Sequence, residues 1–250
     1  MLELCHVSTS VDNTQILDDI SFCLPENKIT VVLGKNGSGK STLIRCINQL
    51  QKYEGDISLD GVSLSTMNVQ KRSRYISILP QILPQTPLSV YDLFRTGLQP
   101  GYMDHKLSRA DERSSIESIL SATGLTGKAD QTVSSLSGGE QRRVFLKMIL
   151  SRNTPIKILD EPMGSLDVNV RKEIADSVIQ ARNEGSTFLL VLHDLEEAIR
   201  LGDYFVILDQ GALCFAGSKE ACLSEKAIEH TFQVHRHPIS DDSFSGYFFL

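Results

Sequence analysis

The chain has 250 residues, enough for one large domain or two small ones and for a substantial core. Its 25 basic residues stand against 31 acidic ones, a formal net charge of −6, which argues against a protein whose whole surface is a nucleic-acid footprint. Hydrophobic residues make up 41% and charged residues 22%, a globular composition, and the longest apolar runs, such as Phe188 to Leu192, fall far short of the ~20 residues of a membrane helix. The start, Met1-Leu2-Glu3-Leu4, lacks the basic-then-apolar order of a signal peptide. The five cysteines, Cys5, Cys23, Cys46, Cys214 and Cys222, form no CxxC pair and are expected to be reduced thiols.

In chain order, Leu2 to Val7 is predicted to be extended, Asp12-Asn13 to turn, and Ile16 to Leu24 to form a second strand. Ile29 to Leu33 is a short β-branched run, followed at once by a glycine-rich loop and a helix from Ser41 to Leu50. Asp56 to Leu59 followed by Asp60-Gly61 predicts a hairpin. From about 83 to 152 the character changes: a piece punctuated by Pro80, Pro84 and Pro87 leads into helices, with Ile116, Ile119 and Leu120 at helical spacing. The β/α alternation then resumes as strand Ile156–Leu159, helix Asn169–Asn183, strand Thr187–Leu192, helix Leu195–Leu201 and strand Tyr204–Leu208. This predicts an α/β fold: a mainly parallel sheet, antiparallel β structure at the N-terminus and an inserted helical subdomain at 83–152. Within the strand at 156–159, Lys157 is expected near the sheet's exposed end.

Three stretches carry chemistry. Gly34-Lys35-Asn36-Gly37-Ser38-Gly39-Lys40-Ser41, with Thr42 next, fits G-x-x-x-x-G-K-[ST] between a strand and a helix. The glycines allow a tight turn that aims backbone N–H groups at a polyphosphate, and the following helix adds its positive end. Lys40 would reach the β- and γ-phosphates, and the Ser41 hydroxyl would ligate Mg²⁺. This loop alone does not separate kinase, GTPase and ATPase. The second stretch is Ile156 to Leu159, which runs into Asp160-Glu161-Pro162. Neighbours at a strand end point to opposite sides, so Asp160 suits Mg²⁺ and Glu161 suits polarising a water for attack on the γ-phosphate. The third, His193, follows the strand ending at Leu192, and parallel strands bring it to the phosphate-loop end of the sheet. The spacing of His230, His235 and His237 suits no metal site.

A second glycine turn, Leu136-Ser137-Gly138-Gly139-Glu140-Gln141-Arg142-Arg143, opens a helix with a serine cap and two glycines. The order of the phosphate loop, this LSGGEQ signature, the Leu159-Asp160-Glu161-Pro162 box and the strand-end histidine resembles the ATP-binding subunits of ABC transporters, over about residues 2 to 225. The resemblance implies a P-loop NTPase core within one ABC ATPase domain over 1–250, with a C-terminal tail at 226–250. It implies ATP and Mg²⁺ as ligands, Glu161 as catalytic carboxylate and His193 as a switch on the γ-phosphate. Gln81 would be the glutamine that senses Mg²⁺ and couples to the membrane subunit. Gly164-Ser165-Leu166-Asp167 would be the D-loop, with Ser165 where alanine is usual. Ser137, Gly138, Gly139 and Glu140 of one copy would close over the phosphate loop of another in a homodimer.

Where the family stacks an aromatic ring on adenine, this chain has Val11, so relaxed base selectivity is expected. Leu88 to Pro100 resembles a stretch of ATPases that serve iron–siderophore, haem and cobalamin importers, with Leu98 replacing the usual arginine. Implied partners are a membrane permease and, indirectly, a periplasmic or lipoprotein substrate-binding protein, with the chain peripheral on the cytoplasmic face. Another import or export system, or a non-transport regulatory ATPase, is the alternative. The last four residues, Tyr247-Phe248-Phe249-Leu250, are expected to tuck against the domain or contribute to the dimer rather than anchor it in a membrane.

Overall fold

A computed structural model describes residues 1–102, 109–121, 124–164, 166–240 and 245–250. The chain divides into two compact units, one built from Met1–Asn68 and Gly185–Leu250, the other from Val69–Glu184.

The first unit opens with β1 (Leu2–Val11), β2 (Thr14–Leu24), β3 (Ile29–Gly34), α1 (Lys40–Ile47), β4 (Glu54–Leu59) and β5 (Val62–Ser63). β1 pairs antiparallel with β2 and β4, and β4 with β5, which is the expected antiparallel N-terminal structure. Two-residue turns close these hairpins, at Asp12-Asn13 and Asp60-Gly61, and all four residues have positive φ. Asp, Asn and Gly tolerate that conformation, whose twist matches the flanking strands.

The second unit holds α2 (Val69–Arg72), β6 (Ile76–Leu79), α3 (Val90–Tyr102), α4 (Arg109–Ser121), α5 (Gly138–Ser151), β7 (Ile156–Asp160) and α6 (Val168–Asn183). β6 and β7 are parallel, with Ile76 opposite Ile156 and Leu79 opposite Leu159. A parallel pair needs a long crossover, and this one carries α3, α4 and α5, the helices expected at 83–152. Ile116 and Leu120 of α4 are buried, as their spacing predicts, and Leu98 of α3 is buried as well. Arg113 ties the insertion together. It pairs with Glu117 at 2.9 Å and Asp130 at 2.6 Å, and its guanidinium lies 5.4 Å from the centre of the Tyr91 ring.

One expectation about this unit is corrected. All five residues of β7 are buried, and Lys157 is only 3% exposed rather than at an open end. Parallel strands are covered on both faces, so the lysine stem is enclosed and its Nζ turns back to the Thr154 carbonyl at 2.8 Å.

The chain returns to the first unit with β8 (Thr187–Val191), α7 (Leu195–Leu201), β9 (Tyr204–Asp209), β10 (Ala212–Ser218), α8 (Lys219–Ser224), α9 (Ala227–Phe232), β11 (Arg236–Ser240) and β12 (Ser245–Phe249). β3 lies between β8 and β9, parallel to both, and is buried along its whole length. β10 folds back on β9 through a third two-residue turn, Gln210-Gly211, and also meets β2. β11 and β12 form a separate antiparallel hairpin, and β12 packs against α7. Among the described residues no helix is long and apolar enough to cross a membrane.

Candidate functional site

The first unit builds the phosphate loop. β3 ends at Gly34 and α1 begins at Lys40, so the intervening residues must reverse direction within a few peptides. The Ser38 N–H donates to the Lys35 carbonyl at 3.1 Å, which closes the turn. Gly39 caps α1 with φ +100°, and a Cβ there would stand 2.5 Å from the Leu17 side chain, so any other residue would be both strained and crowded. Lys40 is buried, and its Nζ donates to the carbonyls of Gly34 at 2.6 Å and Lys35 at 2.9 Å. The ammonium is therefore held inside the loop whose amides it would complement. Lys35, Asn36 and Gly37 are exposed at the loop crest, Ser38 is buried, and Ser41 and Thr42 sit in the first turn of α1.

The same unit carries His193. Val191, the last residue of β8, lies opposite Val32 of β3, so the residues after both strands emerge at one end of the sheet. His193 is exposed there, and Asp194 caps α7 by accepting the Glu197 N–H at 3.0 Å. The structure thus brings the phosphate loop and His193 together, as the parallel arrangement predicts.

The second unit gathers Gln81, Asp160, Glu161 and the signature helix α5, and a residue passed over in the sequence joins them. Arg142, five positions after Ser137, is 9% exposed. Its Nη1 donates to the carbonyls of Gln81 at 2.7 Å and Pro80 at 3.4 Å. Its Nη2 donates to the carbonyls of Asp160 at 3.1 Å and Glu161, and its Nε to that of Pro162 at 3.2 Å. Burial lowers the Arg142 pKa from its ordinary value, while the nearby Asp160 and Glu161 charges act the other way. Glu161 itself has φ +49°, a left-handed conformation that costs a non-glycine residue about 1–3 kcal/mol and persists only where the surroundings enforce it. The only sequence signal for the Arg142 role was a second arginine beside Arg143, which by itself reads as an exposed charge.

The signature turn is capped as its serine suggests. Ser137 and Glu140 form a reciprocal capping box at the start of α5, with Gly138 and Gly139 in the first turn. Lys128 pairs with Glu140 as well. In the segment expected to be the D-loop, Arg171 donates to the carbonyls of Leu166 at 2.9 Å and Gly164 at 3.2 Å, and Asp167 caps α6 by accepting the Val170 N–H at 3.1 Å. Ser165 lies outside the described residues.

Ser41, an exposed residue of the first unit, and Asp160, at the end of a buried strand in the second, each carry an oxygen donor of the kind Mg²⁺ prefers. Among the described residues no group of three or more His, Cys, Asp or Glu side chains is arranged to hold a metal without other help.

Residues 17–164 match the ABC transporter family. The chain is 33% identical over 247 residues to the petrobactin import ATP-binding protein FpuD of Bacillus anthracis, covering 97% of this chain and 90% of the relative. It is 30% identical over 230 residues to the iron(3+)-hydroxamate import ATP-binding protein FhuC of Bacillus subtilis, covering 90% and 85% of the two chains. Among solved structures it resembles the dimeric structure of MJ0796, a bacterial ABC transporter cassette, with a TM-score of 0.79 and 25% identity over 88% of this chain and 99% of that one. The chain belongs to the ABC transporter family. Its activity is that of an ABC ATPase, the hydrolysis of ATP to ADP and phosphate.

Proposed function

We propose that this chain is the ATP-hydrolysing subunit of an importer for an iron chelate of the siderophore type, with haem or cobalamin as the alternative cargo. The observation that carries the reading is the nearly full-length similarity to siderophore-import ATP-binding proteins, 97% of the chain in one case. Two copies would pair, each lending Ser137, Gly138, Gly139 and Glu140 to the phosphates held by the other. The dimeric form of a similar cassette supports this pairing. The pair would work from the cytoplasmic face on a membrane permease fed by a periplasmic or lipoprotein binding protein.

Within that frame, the amides of residues 34 to 39 and the Lys40 ammonium bind the phosphates, with Ser41 and Thr42 at the helix start. Glu161 accepts a proton from the attacking water, and His193 contacts the γ-phosphate. Ser41, Gln81 and Asp160 would hold Mg²⁺, which would supply positive charge against the phosphates. Gly164, Ser165, Leu166 and Asp167 line the contact with the second copy.

The test is the Glu161→Gln variant. It should lose ATP turnover while nucleotide still drives it to dimerise, as followed by light scattering; unchanged turnover would sink the assignment. For the cargo, a strain lacking this chain should lose uptake of radiolabelled iron presented as a hydroxamate chelate. Normal iron uptake with loss of cobalamin uptake would transfer the assignment to the alternative.

A further inference from the structure

We propose that Arg142 is a positioning residue that holds the backbone of Glu161 in its left-handed conformation and ties it to Gln81. The proposal rests on the reading of Glu161 as the catalytic carboxylate.

The geometry has three parts. First, the Asp160 carbonyl belongs to the peptide plane before Glu161, and the Glu161 carbonyl belongs to the plane after it. A residue's φ and ψ are the rotations between those two planes. Nη2 of Arg142 bonds both oxygens, and Nε bonds the Pro162 carbonyl one peptide further on. The guanidinium therefore fixes both dihedrals of Glu161, and with them the direction of its side chain.

Second, the other branch of the fork, Nη1, reaches the carbonyls of Gln81 and Pro80, some sixty residues earlier in the chain. Displacement of the Gln81 backbone must break these bonds or carry the guanidinium with it, and in the second case the Glu161 peptide planes follow. One rigid planar group thus links the glutamine segment to the carboxylate.

Third, the arrangement needs arginine. Five N–H groups meet five carbonyls, and every hydrogen bond Arg142 makes among the described residues ends on a backbone oxygen. A lysine ammonium offers three donors from a single point and cannot span the set. Helix α5 supplies the stiff base, since Arg142 lies in its second turn, flanked by buried Val144, Phe145 and Leu146.

The experiment compares Arg142→Lys and Arg142→Met with wild type and Glu161→Gln, all as the full chain, by steady-state ATPase kinetics and thermal unfolding. Arg142→Met should lower kcat on the order of 10²-fold, the scale of a misplacement of about 1 Å in a catalytic group, with KM for ATP unchanged. Arg142→Lys should fall between, and its melting temperature should stay near wild type. If folded Arg142 variants keep wild-type kcat while Glu161→Gln loses turnover, the Arg142 proposal is overturned and the reading of Glu161 stands. If Glu161→Gln keeps turnover, that reading fails and takes the proposal with it. A parallel fall of kcat, KM performance and melting temperature, or failure of both Arg142 variants to fold, makes Arg142 a support of the fold alone and also overturns the proposal.

Discussion

Glu140 and Ser137 bond each other in both directions. The carboxylate accepts the Ser137 N–H at 2.9 Å and its hydroxyl at 2.8 Å, and the Ser137 oxygen accepts the Glu140 N–H at 3.4 Å. With Lys128 as the first cause and the two Ser137 donors behind it, the Glu140 carboxyl is held down to about 2 against an ordinary value of 4.5.

A folded pKa below the unfolded one gives a contribution that is complete above the unfolded value and is lost as pH falls through the folded value. Glu140→Gln should therefore be less stable than wild type at neutral pH, and the gap should close between about pH 4.5 and pH 2. Urea unfolding of both proteins across that range measures it. A gap that does not change with pH would mean the carboxylate charge contributes nothing.

Lys157 presents the opposite case. Burial first, and repulsion from Arg152 second, push its ammonium down to about 8 from 10.5, with Glu184 pulling the other way. Below pH 8 the folded state carries the full cost of a buried charge. Between 8 and 10.5 the unfolded chain holds more protons, so the wild type gains stability as pH rises. Lys157→Met, which keeps the stem and removes the charge, should stabilise the protein at pH 7 by about 2 kcal/mol. The advantage should shrink toward pH 10.5, as chemical denaturation at several pH values will show.

Two loop glycines separate backbone strain from crowding. Gly37 and Gly39 both have positive φ, +80° and +100°, but a Cβ at Gly37 meets nothing within 4 Å, whereas one at Gly39 meets Leu17 at 2.5 Å. Gly37→Ala should cost about 1 kcal/mol, the left-handed penalty alone. Gly39→Ala should cost more, at least ~2 kcal/mol once overpacking is added, and that increment should shrink when it is measured in a Leu17→Ala background, whose own loss of a buried side chain is the reference. Thermal unfolding of the two glycine variants, of Leu17→Ala and of the Gly39→Ala/Leu17→Ala pair is the check, and equal costs at the two glycines would refute the crowding argument.

Val11 is 39% exposed at the end of β1, where the family resemblance expects an aromatic ring. Val11→Tyr should lower KM for ATP roughly fivefold, for about 1 kcal/mol of stacking, and should widen the preference for ATP over GTP. Unchanged KM would mean that the base is gripped elsewhere.

Much of this architecture was legible in the residues. The apolar run Ile29 to Leu33 followed by glycines located β3 and the phosphate loop, and the return of β/α alternation after Ile156 located β7 to β9 within a residue or two. What escaped was tertiary. A charge in a strand usually faces water, which points Lys157 to an exposed end, but only the covering of both faces of β7 decides its place. The left-handed Glu161 and the five bonds of Arg142 depend on segments about sixty and twenty residues from the arginine, and no local pattern encodes them. β10 has a local signal, Gly211 between Leu208 and Leu213, but the turn begins with Gln210, a residue seldom found with positive φ, which hides the hairpin in the sequence.

The parallel pairing of β3 has a consequence for synthesis. Its two neighbours, β8 and β9, lie in the last quarter of the chain, and the Asn27 N–H to Thr187 Oγ1 bond beside it spans 160 residues of sequence. The hairpin β1–β2 closes within two residues and can form in microseconds once it leaves the ribosome. β3, apolar along its length, must wait many seconds for its partners at translation rates of about 5–20 residues per second. During that interval an unpaired, hydrophobic strand edge is open on the nascent chain, the kind of surface through which chaperones engage and chains aggregate.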